Sequence, residues 1–154
     1  MKVIDLNQRL DIDQNSRLGK RYIQFGKLLD ELRDRELPAE TVDFINQEVE
    51  QLNSISGIEK AFKNQTKLAQ SRILKRIEKD TKLVTKNHYR TTWLAIGMAA
   101  FGIPMGVVFG TVLGNMAFLG IGLPIGMAIG IAVGTAMDAK ASEEGKQLDI
   151  EIKL

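Results

Sequence analysis

Side chains able to perform acid–base chemistry or to bind a metal are scarce in this sequence. His88 is the only histidine, it has no clear acidic partner nearby, and cysteine is absent. A thiolate nucleophile and a cysteine metal site are therefore excluded. Acidic pairs such as Asp30 with Asp34 have the spacing of solvated helix faces, and no phosphate loop, nucleophile elbow or metal-ligand cluster is recognisable. The sequence predicts no enzymatic activity, no metal site and no cofactor.

Three polar residues inside an uncharged stretch could instead line a hydrated path. The stretch covers residues 91–137 and contains no Asp, Glu, Lys or Arg. Polar side chains line many membrane pores, and apolar constrictions close them by dewetting. The candidate pore-lining residues are Thr111, Asn115 and Thr135.

The same stretch contains one glycine pattern twice. Residues 102–115 read G-I-P-M-G-V-V-F-G-T-V-L-G-N, and residues 122–135 read G-L-P-I-G-M-A-I-G-I-A-V-G-T. Glycine destabilises a soluble helix by about 1 kcal/mol relative to alanine, whereas in lipid small residues at every fourth position let helices approach closely. The pattern therefore predicts two helix-packing faces. We call them the first glycine ladder, Gly102, Gly106, Gly110 and Gly114, and the second glycine ladder, Gly122, Gly126, Gly130 and Gly134.

The length of the uncharged stretch predicts a transmembrane hairpin. At about 1.5 Å per helical residue, it would cross two bilayer cores of about 30 Å. We place the two passes at 92–113 and 117–137, with a very short turn between them. A hairpin buried in a water-soluble core is the alternative, but the other segments are too charged to surround it. Pro104 and Pro124 occupy matching places in the two ladders and are expected to kink the helices rather than to mark a substrate site.

The charges next to this hairpin predict its orientation. Residues 59–90 carry ten basic and three acidic residues, whereas residues 1–58 carry eight basic and eleven acidic ones. Basic residues beside a membrane segment mark the cytoplasmic side, so both termini should be cytoplasmic. A nucleic-acid partner is not predicted, because the basic stretch has no recognition motif and anionic lipid accounts for its charge. The predicted membrane-interface residues are Lys79, Lys82, Lys86, Tyr89, Arg90 and Trp93.

The N-terminal half predicts a helical hairpin. Apolar residues recur at helical spacing over 17–37 and again over 42–52, with Pro38 between them. Two such helices bury little surface alone, so a third helix or a neighbouring subunit should complete the core. A third helix beginning near residues 56–58 has two possible forms. It could run unbroken into the first pass, or it could be one of two helices separated near Thr81 or Asn87.

The C-terminal tail predicts a short strand. Leu148, Ile150, Ile152 and Leu154 alternate with charged residues, as in a strand with one buried face. Residues 3–6 could form a second strand and pair with it, within one subunit or across subunits. A tail without fixed structure is the alternative.

The C-terminal half resembles the glycine-zipper membrane proteins of bacteria, in particular small two-pass ones with repeated G-x-P-x-G-x-x-x-G and a D-x-K-A-x-E-E-G tail. Here the tail motif is Asp138, Lys140, Ala141, Glu143, Glu144 and Gly145. The resemblance covers roughly residues 93–148. It implies a tightly packed, homo-oligomeric hairpin in a bacterial inner membrane and implies no established activity.

Together these patterns predict an all-α membrane protein, a two-pass glycine-zipper hairpin with a cytoplasmic domain that is an αα-hairpin or coiled-coil-like. The expected domains are a helical domain at 1–57, a basic juxtamembrane helix at 58–90, the transmembrane hairpin at 91–137 and a cytoplasmic tail at 138–154.

Two functions stay open. Several hairpins could assemble through their glycine faces into a pore or channel regulated by the cytoplasmic helices. Alternatively, the hairpin is a non-conducting anchor or scaffold, and the cytoplasmic helices bind a protein partner. The predicted partners are thus the lipid bilayer, further copies of the chain, and a cytoplasmic protein.

Overall fold

A computed structural model describes residues 2–57 and 60–152. The chain divides into two compact units. The first, which we call the bundle unit, comprises the residues up to Val84 together with those from Leu148 onwards. The second, the hairpin unit, is Thr85–Gln147. Both units are helical, and the chain also contains two short strands.

Three helices build the bundle unit: α1 at Arg17–Arg33, α2 at Ala39–Asn53 and α3 at Lys60–Thr81. The hydroxyl of Ser16 caps α1 by accepting a hydrogen bond from the amide of Gly19 at 3.0 Å. Pro38 stands at the N-cap of α2, where its missing N–H and fixed φ fit a helix start. Helices α1 and α2 match the two segments predicted for a helical hairpin, but among the described residues both pack mainly on α3 rather than on each other.

The third helix that this hairpin needs comes from the same chain. Both α1 and α2 contact α3. The three helices contribute large apolar side chains to one core, and residues before α1 and after the hairpin unit complete it. The fully buried large side chains of this core are Phe25, Leu28, Leu29, Leu32, Ile45, Val49, Leu52, Phe62, Ile73, Ile77 and Leu148.

Helix α3 ends at Thr81, before the first predicted pass. Of the two predicted forms of the third helix, the structure therefore has the one in which two helices are separated. Lys82 and Asn87 both have positive φ, 61° and 59°. These left-handed residues bracket strand β1, Val84–Thr85, and prevent a continuous helix. Ile58, where the third helix was expected to start, lies outside the described residues. The predicted juxtamembrane helix over 58–90 therefore corresponds to α3, a part of the bundle, followed by a turn.

The tail pairs with a different segment from the predicted one. Strand β2, Gln147–Leu148, pairs with β1. Pairing with residues 3–6 of the same chain is wrong, because the side chain of Asn46 on α2 hydrogen-bonds the amide of Ile4 and the carbonyl of Lys2 instead. Pairing across subunits stays a prediction. The predicted alternation of burial is present, since Leu148 and Ile150 are buried while Asp149 is exposed. Lys153 and Leu154, the end of the predicted strand, lie outside the described residues.

The hairpin unit is a pair of long helical segments. The first consists of α4, His88–Gly97, a π-helical turn, Met98–Gly102, and α5, Ile103–Val112. A short 3₁₀ turn, Met116–Phe118, leads into the single long helix α6, Leu119–Glu143. Helix α6 packs against α4, the π-helical turn and α5 along their length.

Candidate membrane-spanning hairpin

Both segments of the hairpin unit have the length and composition needed to cross a membrane. They run over His88–Val112 and Met116–Glu143, close to the predicted passes. At about 1.5 Å per residue each exceeds the roughly 30 Å of a bilayer core. Of the apolar stretch in each segment, only 22% and 18% is buried within the chain. A core helix of a water-soluble protein would bury most of such a stretch, whereas these two helices leave most of it exposed.

The face that the two segments bury against each other consists of glycine. Between residues 94 and 137 every residue classed as buried in the described structure is a glycine. The neighbouring side chains on the same turns point away from the contact, and large apolar residues are exposed. The buried positions are Gly97, Gly102, Gly106, Gly110, Gly122, Gly126, Gly130 and Gly134.

Backbone meets backbone at these positions. A β-carbon added to Gly126 would lie 2.6 Å from the Cα of Gly102, and one added to Gly122 would lie 2.6 Å from the Cα of Gly106. At Gly134 the added carbon would lie 2.5 Å from the Cα of Arg90. Real Cβ atoms do not approach other atoms this closely, so even alanine would force the helices apart. Gly102 and Gly106 of the first ladder thus pack on Gly122 and Gly126 of the second within one chain, while Gly130 and Gly134 pack on the backbone of α4.

A π-helical turn sets the register of the first segment. In the sequence the residue four before Gly102 is Met98, but the structure places Gly97 in the contact. The turn Met98–Gly102 causes this shift, because a π-helical turn accommodates one extra residue. It lies directly before Pro104, which has no N–H to donate to the carbonyl of Ala100. At the end of the π-helical turn, the amide of Ile103 donates to the carbonyl of Met98, five residues earlier, rather than to the carbonyl four residues earlier as in an α-helix.

The matching proline of the second segment produces no such turn. Pro124 lies inside the regular helix α6, six residues from its start. The carbonyl that loses its hydrogen bond belongs to Gly120, four residues earlier and in the first turn of α6. The proline therefore disturbs little, because almost no helix precedes this turn. The prolines expected to kink both passes therefore have different local surroundings.

The end of the first ladder differs from its predicted role. Gly114 has φ of 65°, lies in the turn between the passes, and has open space where a side chain would project. Gly110 faces the same turn, with an added β-carbon 3.2 Å from the Sδ of Met116. Asn115 closes the turn, because its amide donates to the carbonyl of Gly110 at 3.0 Å and its Oδ1 accepts from the amide of Ala117 at 2.9 Å. Gly114 thus serves the turn rather than helix packing.

The three candidate pore-lining residues do not converge on one path within the chain. The hydroxyl of Thr111 donates back to its own helix, 3.0 Å from the carbonyls of both Val107 and Val108. Asn115 is used in the turn, as described above. Thr135 is exposed near the other end of the hairpin.

An acidic residue of the tail motif, to which the sequence assigned no capping role, caps the start of the hairpin. Asn87, the N-cap of α4, is left-handed, and its side chain makes no cap hydrogen bond. The carboxylate of Asp138, on α6, takes that place by accepting from the amides of Tyr89 at 3.0 Å and Arg90 at 2.9 Å. These are the second and third amides of the helix, the donors that an N-cap side chain satisfies. Asp138 is buried, and its charge also suits the positive end of α4.

The predicted interface residues divide between the two units. Lys79 lies on α3 and Lys82 in the turn after it, and both are exposed parts of the bundle unit. Lys86, Tyr89, Arg90 and Trp93 belong to the start of the hairpin unit. The ring of Tyr89 packs edge-on against that of His88, with 5.1 Å between centroids. Only the second set therefore lies on the apolar hairpin itself.

Comparison with known proteins adds no further assignment, because no family model, no curated protein and no solved structure matches this chain. The resemblance to glycine-zipper proteins stays a prediction.

Proposed function

We propose that this protein is an integral membrane protein in which the hairpin unit is the anchor and the bundle unit is the working part. One observation carries this proposal: among the residues of 94–137 whose burial the structure describes, the hairpin buries only glycine, and it exposes large apolar side chains. Such a surface suits hydrocarbon, which solvates apolar side chains and leaves close backbone contact to hold helices together. The exposed residues are Ile96, Phe101, Ile103, Val107, Val108, Val112, Leu113, Met116, Ile121, Leu123, Met127, Val133 and Met137.

The same geometry favours an anchor over a pore. A pore built through the glycine faces needs those faces to be free for other chains, but here the glycines of the second ladder pack on the backbone of the first segment in the same chain. The hydroxyl of Thr111 and the amide side chain of Asn115 already have backbone partners. Copies of the chain can still associate through the outer apolar faces, without a hydrated path between the two passes.

The proposed location is the cytoplasmic membrane with both termini in the cytoplasm. The described part of the hairpin between Arg90 and Asp138 has no charged residue, whereas Lys86 and Arg90 precede it and Lys140 and Lys146 follow it. Both ends of the hairpin therefore have the basic residues that mark the cytoplasmic side. In this arrangement the bundle unit faces cytoplasmic proteins, among which its partner is expected.

The anchoring function is tested by alkaline carbonate extraction of cell membranes. The full chain should stay in the pellet, and the variant Val108→Glu with Met127→Glu should move to the supernatant, because each exposed position would then place a charge in hydrocarbon. The matched control, Val108→Ala with Met127→Ala, should stay in the pellet. Release of the unmodified chain would contradict the proposal.

A second measurement separates the anchor from the pore. Purified full-length protein is reconstituted in a planar bilayer under voltage and tension, after its insertion has been verified by protease protection. We expect no discrete currents. Unitary currents that are altered by Thr135→Ala would overturn the anchor proposal in favour of the pore.

A further inference from the structure

Residues 2–9 lie along the bundle unit as an extended peptide whose backbone is bound by side chains. None of these residues is in a helix or strand. Their main-chain groups nevertheless make regular hydrogen bonds, mainly to α2. Because amide side chains have a donor and an acceptor side by side, they can bind a peptide backbone as another peptide would.

Two asparagines of α2 each make a pair of such bonds. The Oδ1 of Asn46 accepts from the amide of Ile4 at 3.0 Å, and its Nδ2 donates to the carbonyl of Lys2 at 3.1 Å. One step along, the Oδ1 of Asn53 accepts from the amide of Asn7 at 2.9 Å, and its Nδ2 donates to the carbonyl of Asp5 at 3.0 Å. The two asparagines thus repeat one contact, three residues further along the peptide.

The repeat follows from geometry. Asn46 and Asn53 are seven residues apart, which places them on the same face of a helix about 10.5 Å from each other. Three residues of extended chain cover about 9 to 10 Å. The helix and the peptide therefore stay in register over both contacts. The buried or half-buried side chains of the peptide are those of Val3, Ile4, Leu6 and Arg9.

Helix α1 adds contacts that select a carboxylate. Arg33 donates from Nε to the carbonyl of Val3 at 2.9 Å, and its guanidinium pairs with the carboxylate of Asp5. The hydroxyl of Tyr22 donates to the carbonyl of Asn7 at 2.9 Å. These side chains and the two asparagines form what we call the peptide groove: Tyr22, Arg33, Asn46 and Asn53. It fits an extended peptide with an apolar residue followed two positions later by an acid.

We propose that the peptide groove is an exchangeable binding site, and that in the membrane it receives residues 2–9 of a neighbouring copy. The sequence that fits the groove is present in every copy, and anchoring in one membrane, on which this inference rests, holds copies close together. The segment is attached through Leu10, which is 98% exposed, and the exposed Asp11, before the buried Ile12. Extended, these two hinge residues span about 7 Å, so residues 2–9 can enter the groove of a neighbouring bundle that lies directly beside the hinge.

The end of the segment next to the hinge is held by Arg9. Its guanidinium stacks on Phe62 at 4.7 Å, donates to the carbonyl of Ile55 and pairs with Asp11 at 3.9 Å. Because every copy has the same Phe62 and Ile55, a segment received from a neighbouring copy makes the same contacts there.

The absence of cysteine allows a direct cross-linking test. Two full-length variants, Gln8→Cys on the segment and Glu50→Cys on α2, are co-reconstituted in liposomes and treated with a short bismaleimide. Both positions are exposed, and Glu50 lies between Asn46 and Asn53 on the helix. A covalent dimer of the two variants should form at least about tenfold faster than in a matched mixture of Gln8→Cys with Lys67→Cys, an exposed site on α3.

Two further variants tie the cross-link to the groove. Adding Asn53→Leu to the Glu50→Cys copy should reduce the dimer to the level of the Lys67→Cys mixture, because the backbone of the peptide loses its partners. A single chain that has both Gln8→Cys and Glu50→Cys reports occupancy within one chain. Efficient internal cross-linking there, together with no dimer above the Lys67→Cys level in the mixture, would overturn the exchange. Carbonate extraction tests the membrane anchor separately. If the anchor fails, the same mixtures of variants are cross-linked in solution, and the amount of covalent dimer formed there decides whether the segment exchanges between copies.

Discussion

The two units of this chain bury opposite kinds of residue. The bundle unit has a core of large apolar side chains, such as Phe25 and Ile73, with polar residues outside. The hairpin unit buries glycines such as Gly102 and Gly126 and exposes large apolar side chains such as Val108. This difference is the one expected if the bundle unit lies in water and the hairpin unit in a membrane, as proposed. In water, burying large apolar groups stabilises the fold, whereas in hydrocarbon only close contact and hydrogen bonds remain to hold helices together.

A bulky residue in the glycine contact should have the largest effect. We expect Gly126→Leu to separate the two passes, because even its Cβ would lie 2.5 Å from the backbone nitrogen of Gly102 and backbone cannot move aside as a flexible side chain can. Hydrogen exchange of residues 94–137 in lipid nanodiscs, followed by mass spectrometry, should show loss of protection along both passes.

The matched control is Gly120→Leu in the same helix. Nothing lies within 4 Å of a β-carbon added to Gly120, so this variant should keep the protection of the hairpin. Equal protection in both variants would contradict the close packing of the two ladders.

Removing the same kind of apolar side chain from each unit should sharpen the contrast. Leu32 is fully buried in the bundle unit, and Leu32→Ala should destabilise it by about 2–5 kcal/mol. Val108 is 56% exposed in the hairpin unit, and Val108→Ala should leave hairpin protection almost unchanged in lipid. Both are measured by hydrogen exchange of the full chain in nanodiscs. A loss at Val108 as large as that at Leu32 would mean that its outer face is packed against protein.

The periodicity of the sequence was sufficient to predict the helices, including two long and apolar enough to cross a membrane, because apolar and glycine spacings follow helix geometry directly. The register of the first pass could not be predicted, since the π-helical turn that brings in Gly97 depends on how the helix accommodates Pro104. Equivalent sequence around Pro124 has no such turn. The peptide groove was also missed, because Asn46 and Asn53 look like ordinary polar residues beside an apolar stripe until residues 2–9 are placed against them.

The cap made by Asp138 should have a smaller effect that is confined to one end of the hairpin. Asp138→Ala removes the acceptor of two amides in the first turn of α4, which typically destabilises a helix by about 1 kcal/mol. We expect faster exchange of the Tyr89 and Arg90 amides with little change beyond Gly102. Glu143→Ala, an exposed acid on the same helix, is the control and should leave those amides protected. Unchanged exchange in Asp138→Ala would show that water serves these amides equally well.

The smallest expected effect is a pH dependence within the bundle unit. The Thr41 hydroxyl donates to Asp80 at 2.7 Å, and this bond, followed by the one from Arg76, holds the pKa of the Asp80 carboxyl below its usual value of 3.8. A carboxyl whose pKa is lower in the folded state stabilises the fold above its unfolded pKa, and this contribution is lost as the pH falls through the folded pKa. The melting temperature of Asp80→Asn should therefore be below that of the unmodified chain at neutral pH, and the gap should narrow as the pH falls below about 4. Thr41→Val removes the larger cause and should show the same trend. A gap that stays constant over this range would mean that the ionised form of Asp80 contributes nothing to the bundle, in contrast to the buried contacts around it.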